Sequence, residues 1–182
     1  MQVQMRIKWA VVLMILLALG LGEAQAGTQE TNVTTVAVNI AESIAVVAWP
    51  DVYVDLTRNA VPGQEIVSPG LVVTVKANSP WGIEVSTNMP DGRMREFDLG
   101  TGVYVADGAS LTNPLQWSTS PDGPWQDLSS TPSFIVSSQP PTGNNGKDVQ
   151  FYLRLLPDYG DKPLAEGRDY RIVLLYTAGL NY

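Results

Sequence analysis

The chain has 182 residues, contains no cysteine and no histidine, and carries a net charge of −7 from 18 acidic and 11 basic residues. The missing residue types exclude disulfides, Ser-His-Asp and Cys-His triads, and zinc sites built on thiolate or imidazole within this chain. The acidic balance, without a lysine or arginine cluster, argues against nucleic acid. The sequence has no nucleotide-binding glycine motif and no candidate base with an orienting partner, and we therefore predict a protein that is not an enzyme and needs no cofactor or metal.

The first 26 residues have the composition of a secretory signal peptide. Two basic residues precede the apolar run Trp9–Gly22, and "EAQA" then ends in small residues spaced A-x-A. The apolar run is shorter than the roughly 20 residues that span a bilayer, which favours cleavage after Ala26 over a retained anchor. We predict a signal peptide at 1–26 and one domain at 27–182. That domain would be secreted to the extracellular space, the cell surface or the periplasm, with no membrane span.

The next segment, "TNVTTVAVNI", is uncharged and alternates apolar with polar residues close to the new N-terminus. Such a segment can add as an extra strand to the open sheet edge of a neighbouring molecule. It can equally be the first strand of its own domain, which would close an edge that invites aggregation. Whether Asn32, in the acceptor pattern "NVT", is glycosylated stays open. The candidate assembly strand consists of Asn32, Val33, Thr34, Thr35, Val36, Ala37, Val38, Asn39 and Ile40.

Alternation with a period of two continues through most of the remaining chain and predicts short β-strands. Gly, Pro and Asp punctuate the strands as turns, and no run has helical period. About eight short strands in one domain favour an all-β fold, a two-sheet antiparallel immunoglobulin-like sandwich. Beyond Asn32–Ile40, the predicted strands are Ser43–Trp49, Asp51–Leu56, Leu71–Asn78, Trp81–Thr87, Gly102–Ala106, Leu115–Thr119, Ser133–Ser138, Val149–Leu156 and a final strand from Asp169.

Trp81 follows an Asn-Ser-Pro turn, where an aromatic ring can either be displayed for a ligand or be packed in the core. The ring lies in phase with Ile83 and Val85, the inward positions of its strand. Burying it removes about 150–250 Å² from water, which favours the packed arrangement. We therefore predict a structural role for Trp81.

Trp125 is the best candidate for a ligand platform, because it follows the turn "SPDGP" without apolar partners in phase. With Asp122 and Gln126 beside it, the ring has the composition of a carbohydrate site. The alternative is a hairpin in which Leu115 and Trp117 on one arm stack against Trp125 on the other.

Aspartates in several turns supply the oxygen ligands that calcium accepts. None of these turns matches an EF-hand loop, and Asp-Gly pairs are typical of tight turns. The turn interpretation is favoured, and calcium binding stays open. The residues concerned are Asp91, Asp122, Asp158 and Asp161.

The final strand, "DYRIVLLYTAGLNY", is apolar on both faces. Alternate positions from Tyr170 to Tyr176 form one apolar face, and Val173 and Leu175 lie on the other. A strand of this kind is normally central in a sheet or covered on its outer face. The alternative is a strand that pairs with another chain.

A Val/Thr-rich first strand after a signal peptide, and the final strand "EGRDYRIVLLYTA", resemble exported fimbrial and filament subunits. Those subunits are immunoglobulin-like sandwiches that assemble by donor-strand exchange. The stretches "VTVKANSPWGIEV" and "LQWSTSPDGPWQDLS" are similar to β-sandwich domains of bacterial and archaeal surface proteins. The chain lacks the disulfide that many pilins carry. The resemblance implies self-association or contact with other surface proteins; the alternative function is a non-catalytic carbohydrate-binding module.

Overall fold

A computed structural model describes residues 35–56 and 60–181 of the chain. All strands of this described part lie in the compact unit Ile40–Tyr182; of the other unit, Met1–Asn39, residues 35–39 are described. These residues form an all-β structure whose strands pair antiparallel and whose one helical turn is the 3-10 turn Gly143–Asn145. The strands are β1 Ile44–Ala48, β2 Ile66–Val67, β3 Leu71–Ala77, β4 Trp81–Thr87, β5 Arg95–Asp98, β6 Val103–Tyr104, β7 Gln116–Ser118, β8 Gln126–Asp127, β9 Ser133–Gln139, β10 Lys147–Leu155, β11 Arg168–Arg171 and β12 Leu174–Leu180.

The strands form three sheets. The largest has the order β1-β3-β10-β7-β8, with β2 pairing at the end of β10. A second sheet has the order β12-β4-β9, and a third has the order β11-β5-β6. Consecutive strands β3 and β4 lie in different sheets, joined by the Asn-Ser-Pro turn that the sequence indicates.

The hydrophobic core lies between the inward faces of the sheets β1-β3-β10-β7-β8 and β12-β4-β9. In β3 the residues Leu71, Val73, Val75 and Ala77 are buried, and Lys76 is exposed between them. β10 buries alternate residues in the same way because antiparallel strands expose one face and bury the other. The period-two strands predicted in these regions are confirmed, and their buried side chains belong to one hydrophobic cluster.

Trp81 lies at the centre of this cluster. Its side chain is 0% exposed, and its Nε1 donates a hydrogen bond of 2.9 Å to the carbonyl of Pro140. The apolar ring therefore gains burial while its one polar group keeps a partner. The predicted structural role of Trp81 is confirmed.

Two predicted strands are wrong over the described residues. Residues 51–56 form no strand, and residues 35–40 form none either; residues 32–34 lie outside the described part of the chain. Both segments have the alternating pattern, but no neighbouring strand in the described structure pairs with them. Alternation reports two faces, whereas a strand also needs a hydrogen-bonding partner.

The final strand is two strands in two sheets. β11 pairs with β5, the chain then crosses over, and β12 pairs with β4. β12 is an edge strand, so the interpretation of a central strand is wrong. Val173 and Leu175 on its outer face are 50% and 51% exposed. The apolar outer face is therefore uncovered in the described structure.

Candidate functional site

The candidate assembly segment presents an uncovered apolar stripe. Val36, Val38 and Ile40 are 87%, 85% and 77% exposed, and residues 35–40 belong to no strand. The three side chains follow one another at every second position, so an extended backbone places them on one face. Residues 32–34 of the predicted strand lie outside the described residues. The described part therefore has the alternating sequence pattern of a strand but belongs to no sheet.

A second unpaired element is the outer edge of β12. β12 pairs with β4 over seven residues, from Leu174 opposite Thr87 to Leu180 opposite Trp81, and no described strand pairs with its other side, although β1 comes close to β12. At the two ends of this ladder, Asn88 N–H donates to the Val173 carbonyl and Asn181 N–H donates to the Pro80 carbonyl. The backbone N–H and C=O groups of odd-numbered residues in β12 are thus turned toward β4.

The backbone groups of Leu174 and Tyr176 are consequently turned toward the open edge, because hydrogen-bonding direction alternates along an antiparallel strand. Their side chains pack against the core. The edge therefore combines unpaired backbone groups with inward apolar side chains, which is the arrangement that an added strand requires.

Beside this edge lies a groove of about 950 Å³. It is mostly apolar, and residues 49–56 run along it. Burial raises the pKa of the Tyr176 phenol in the wall of the groove, which keeps the ring neutral. Core side chains that reach the groove include Leu111, Leu115, Leu153, Leu155 and Ile172.

At the polar end of the groove, a cationic, an anionic and two aromatic side chains contact one another. The Arg171 guanidinium bonds to the carboxylate of Asp169 at 2.8 Å and lies 4.5 Å from the Phe97 ring centroid and 5.7 Å from that of Tyr53. The hydrogen bond to Asp169 raises the pKa of Arg171. Because the charge is paired and covered by rings, this cluster anchors the groove wall.

A second ion pair holds the third sheet together. Glu96 is buried and accepts hydrogen bonds from Ala109 N–H, at 2.8 Å, and from the Arg168 guanidinium. The Ala109 N–H, followed by Arg168, holds the pKa of Glu96 below its ordinary value. A carboxyl of this kind contributes stability above its unfolded-state pKa, and that contribution is lost as the pH falls through the folded-state pKa.

We therefore expect the free energy of unfolding to decrease as the pH falls below about 4.3, the ordinary value for glutamate, and Glu96→Gln to flatten this decrease. Urea denaturation at a series of pH values measures both slopes. The exposed Glu166, changed to Gln, controls for the loss of one negative charge. Equal acid slopes in the wild type and Glu96→Gln would contradict the assignment.

The predicted ligand platform is partly covered. The Trp125 ring is half-buried, and the Arg154 guanidinium carbon lies 4.8 Å from its centroid, over one face. Asp122 and Gln126 are exposed. The ring thus has one face stacked on a cation, and the two polar side chains beside it are turned to solvent.

The hairpin predicted as the alternative for Trp125 forms, with β7 paired to β8. Gln126 lies opposite Trp117, and Asp127 lies opposite Gln116. Trp117 is buried in the core, whereas Trp125 lies just outside the ladder against Arg154. The predicted hairpin is therefore confirmed, but the residue opposite Trp117 is Gln126, and the side chain over the Trp125 ring is Arg154.

The turn aspartates accept hydrogen bonds from backbone groups of their own turns, and Asp161 also accepts one from a distant loop. Asp161 accepts from Thr112 N–H at 2.7 Å and from Asp158 N–H at 2.8 Å, and Asp158 accepts from Gly160 N–H at 2.8 Å. Asp91 accepts from Arg93 N–H. The turn interpretation is confirmed for these three aspartates. Among residues 35–56 and 60–181, no group of three or more acidic side chains is placed to hold a metal ion.

A scan against models of known protein families and a search of curated proteins each found no match to this chain. Within the described ranges, no helix has the length and apolar character needed to cross a lipid bilayer.

Proposed function

We propose that this protein is an exported, non-catalytic subunit of a surface assembly. In this proposal the sheets β1-β3-β10-β7-β8 and β12-β4-β9 form an immunoglobulin-like sandwich, to which the third sheet is an addition, and residues 31–40 of one subunit complete a sheet of the next. The signal-peptide pattern supports export. The resemblance to fimbrial and filament subunits supports the assembly role.

The observation that carries the proposal is the exposed stripe of Val36, Val38 and Ile40 in a segment without a strand. Three large apolar side chains in a row on one face are costly to leave in water, at about 25 cal/mol per Å². An added strand would bury this stripe and satisfy the backbone of the segment at the same time. The segment also carries no charge, so it can enter an apolar site without leaving a charged group unpaired.

Size-exclusion chromatography with light scattering tests the proposal on residues 27–182 and on a version that begins at Ala41. We expect the longer form to make polymers or ladders and the shorter form, which keeps all the described strands, to stay monomeric. If both are stable monomers, strand addition is wrong. The alternative, carbohydrate binding, would then be tested on a glycan array with Trp125→Ala.

A further inference from the structure

We propose that residues 50–56 are a built-in strap over the acceptor site, and that residues 35–40 of a second copy displace this strap to pair with the open edge of β12. The inference rests on the proposed function, because it names the acceptor and its regulation. In the isolated subunit the strap shields the edge; in the assembly, the incoming strand replaces it.

The strap lies where an added strand would run. At its start, the Trp49 ring stacks on Tyr176, with 6.2 Å between ring centroids. Four residues later, Tyr53 lies 5.7 Å from the guanidinium of Arg171, five residues before Tyr176. The chain from 49 to 53 therefore runs antiparallel to the chain from 176 to 171, beside the passage from β11 to the first residues of β12, where a strand added to that end of β12 would run.

The strap covers this edge without pairing to it. Among the described residues, no backbone hydrogen bond involves residues 50–54, and Val52 is fully exposed. Val54 is half-buried and packs on the core, and Leu56 is 9% exposed. A segment whose residues 50–54 make no backbone hydrogen bond can be exchanged for one that offers side chains and ladder hydrogen bonds together.

β12 is the best acceptor among the described edges. Its ladder with β4 runs for seven residues without a register shift. The ladder between β9 and β4 is broken by two shifts, and β1 has one; irregularities of this kind protect edges from unwanted pairing. β6 and β8 have two residues each, and β11 has four. A long, regular and unpaired edge is therefore specific to β12 in this part of the chain.

Residues 35–40 of a second copy are complementary to the groove in polarity. The groove under the strap is mostly apolar, and residues 35–40 carry no charge and place Val36, Val38 and Ile40 on one face. Two of these three side chains would take the positions that Val54 and Leu56 vacate. A second copy of this chain supplies such a segment at the same concentration as the acceptor.

A strap that must open lowers the apparent affinity of the incoming strand by the fraction of molecules in which it is open. The test uses residues 27–182 with Val36→Asp and Val38→Asp, which disable the chain's own donor segment. A synthetic peptide of residues 31–40 is titrated into this protein by calorimetry. Adding Val54→Ser is expected to tighten peptide binding about fivefold, because the strap loses half-buried methyl groups.

Val52→Ser is the matched control, since it makes the same substitution on the exposed face of the strap. It is expected to change the affinity by less than about twofold. Equal or weaker binding after Val54→Ser would overturn the strap. If wild-type residues 27–182 assemble but the peptide does not bind, the proposed acceptor is wrong and strand addition survives. If the wild type does not assemble either, the proposed function itself fails.

A second measurement needs no strap variant and so does not depend on whether Val54→Ser folds. Hydrogen exchange compares assembled wild type with the monomeric Val36→Asp/Val38→Asp protein. The Leu174 and Tyr176 amides face the open edge, and we expect their exchange to slow at least about tenfold on assembly. Unchanged exchange at both amides would overturn β12 as the acceptor.

Discussion

Replacing Trp81 with alanine is expected to lower the free energy of unfolding by about 3–5 kcal/mol. The ring is fully buried between β4 and the facing sheet, and alanine would leave a cavity that a packed core fills incompletely. It would also remove the donor that satisfies the Pro140 carbonyl. Because small domains are stable by about 5–15 kcal/mol, this change approaches global unfolding. Urea denaturation followed by circular dichroism measures it.

Two further substitutions separate the causes of this loss. Trp81→Phe keeps most of the ring and loses the hydrogen bond, so a smaller loss is expected than for alanine. Tyr159→Ala removes an aromatic ring that is 85% exposed, and a change within about 0.5 kcal/mol is expected. A loss below about 1 kcal/mol for Trp81→Ala would show that the core tolerates the cavity and that Trp81 does not organise it.

Sequence periodicity predicted the strands whose inward residues are apolar. β3, β4 and β10 show why: each alternates cleanly, and each buries the predicted face. The short strand β5 escaped prediction because its inward residue is the charged Glu96, which becomes tolerable only through Ala109 N–H and the distant Arg168. β2 and β8, with two residues each, carry too little pattern to be recognised.

Which strands pair with each other, in contrast, could not be predicted from the sequence. Residues 51–56 have the alternating pattern and β12 is apolar on both faces. Residues 51–56 nevertheless form no ladder with a described strand, and β12 pairs on one side only. The difference depends on which strand comes alongside, and β4 precedes β12 by almost ninety positions. Hydrogen-bonding partners at such separation are not encoded in local pattern.

The candidate site could likewise be predicted only in part. The exposed stripe of residues 35–40 could be predicted, because its composition alone marks it as β-prone and uncharged. The groove could not, because its walls come from residues as far apart as Trp49, Leu111 and Tyr176. For Trp125 the pattern indicated an unpartnered ring, whereas the structure places Arg154, on another strand, over it.

Val36→Asp combined with Val38→Asp is expected to abolish assembly of residues 27–182. Both side chains belong to the exposed apolar stripe, and an added strand would carry them into the apolar groove. A carboxylate there would lose its hydration without gaining a partner, which costs several kcal/mol per group and exceeds what the strand's hydrogen bonds return. Light scattering measures polymer mass at equal protein concentration.

Thr35→Asp with Ala37→Asp is the matched control, because it adds the same two charges to the opposite face of the same segment. These side chains would point away from the groove, since neighbouring residues of a strand face opposite sides. The control is therefore expected to assemble with a mass within about twofold of the wild type at 0.15 M salt, where added surface charges are largely screened. Equal loss of assembly in both variants would mean that charge alone blocks association. Loss in the valine variant alone would mean that assembly buries the apolar face of residues 35–40.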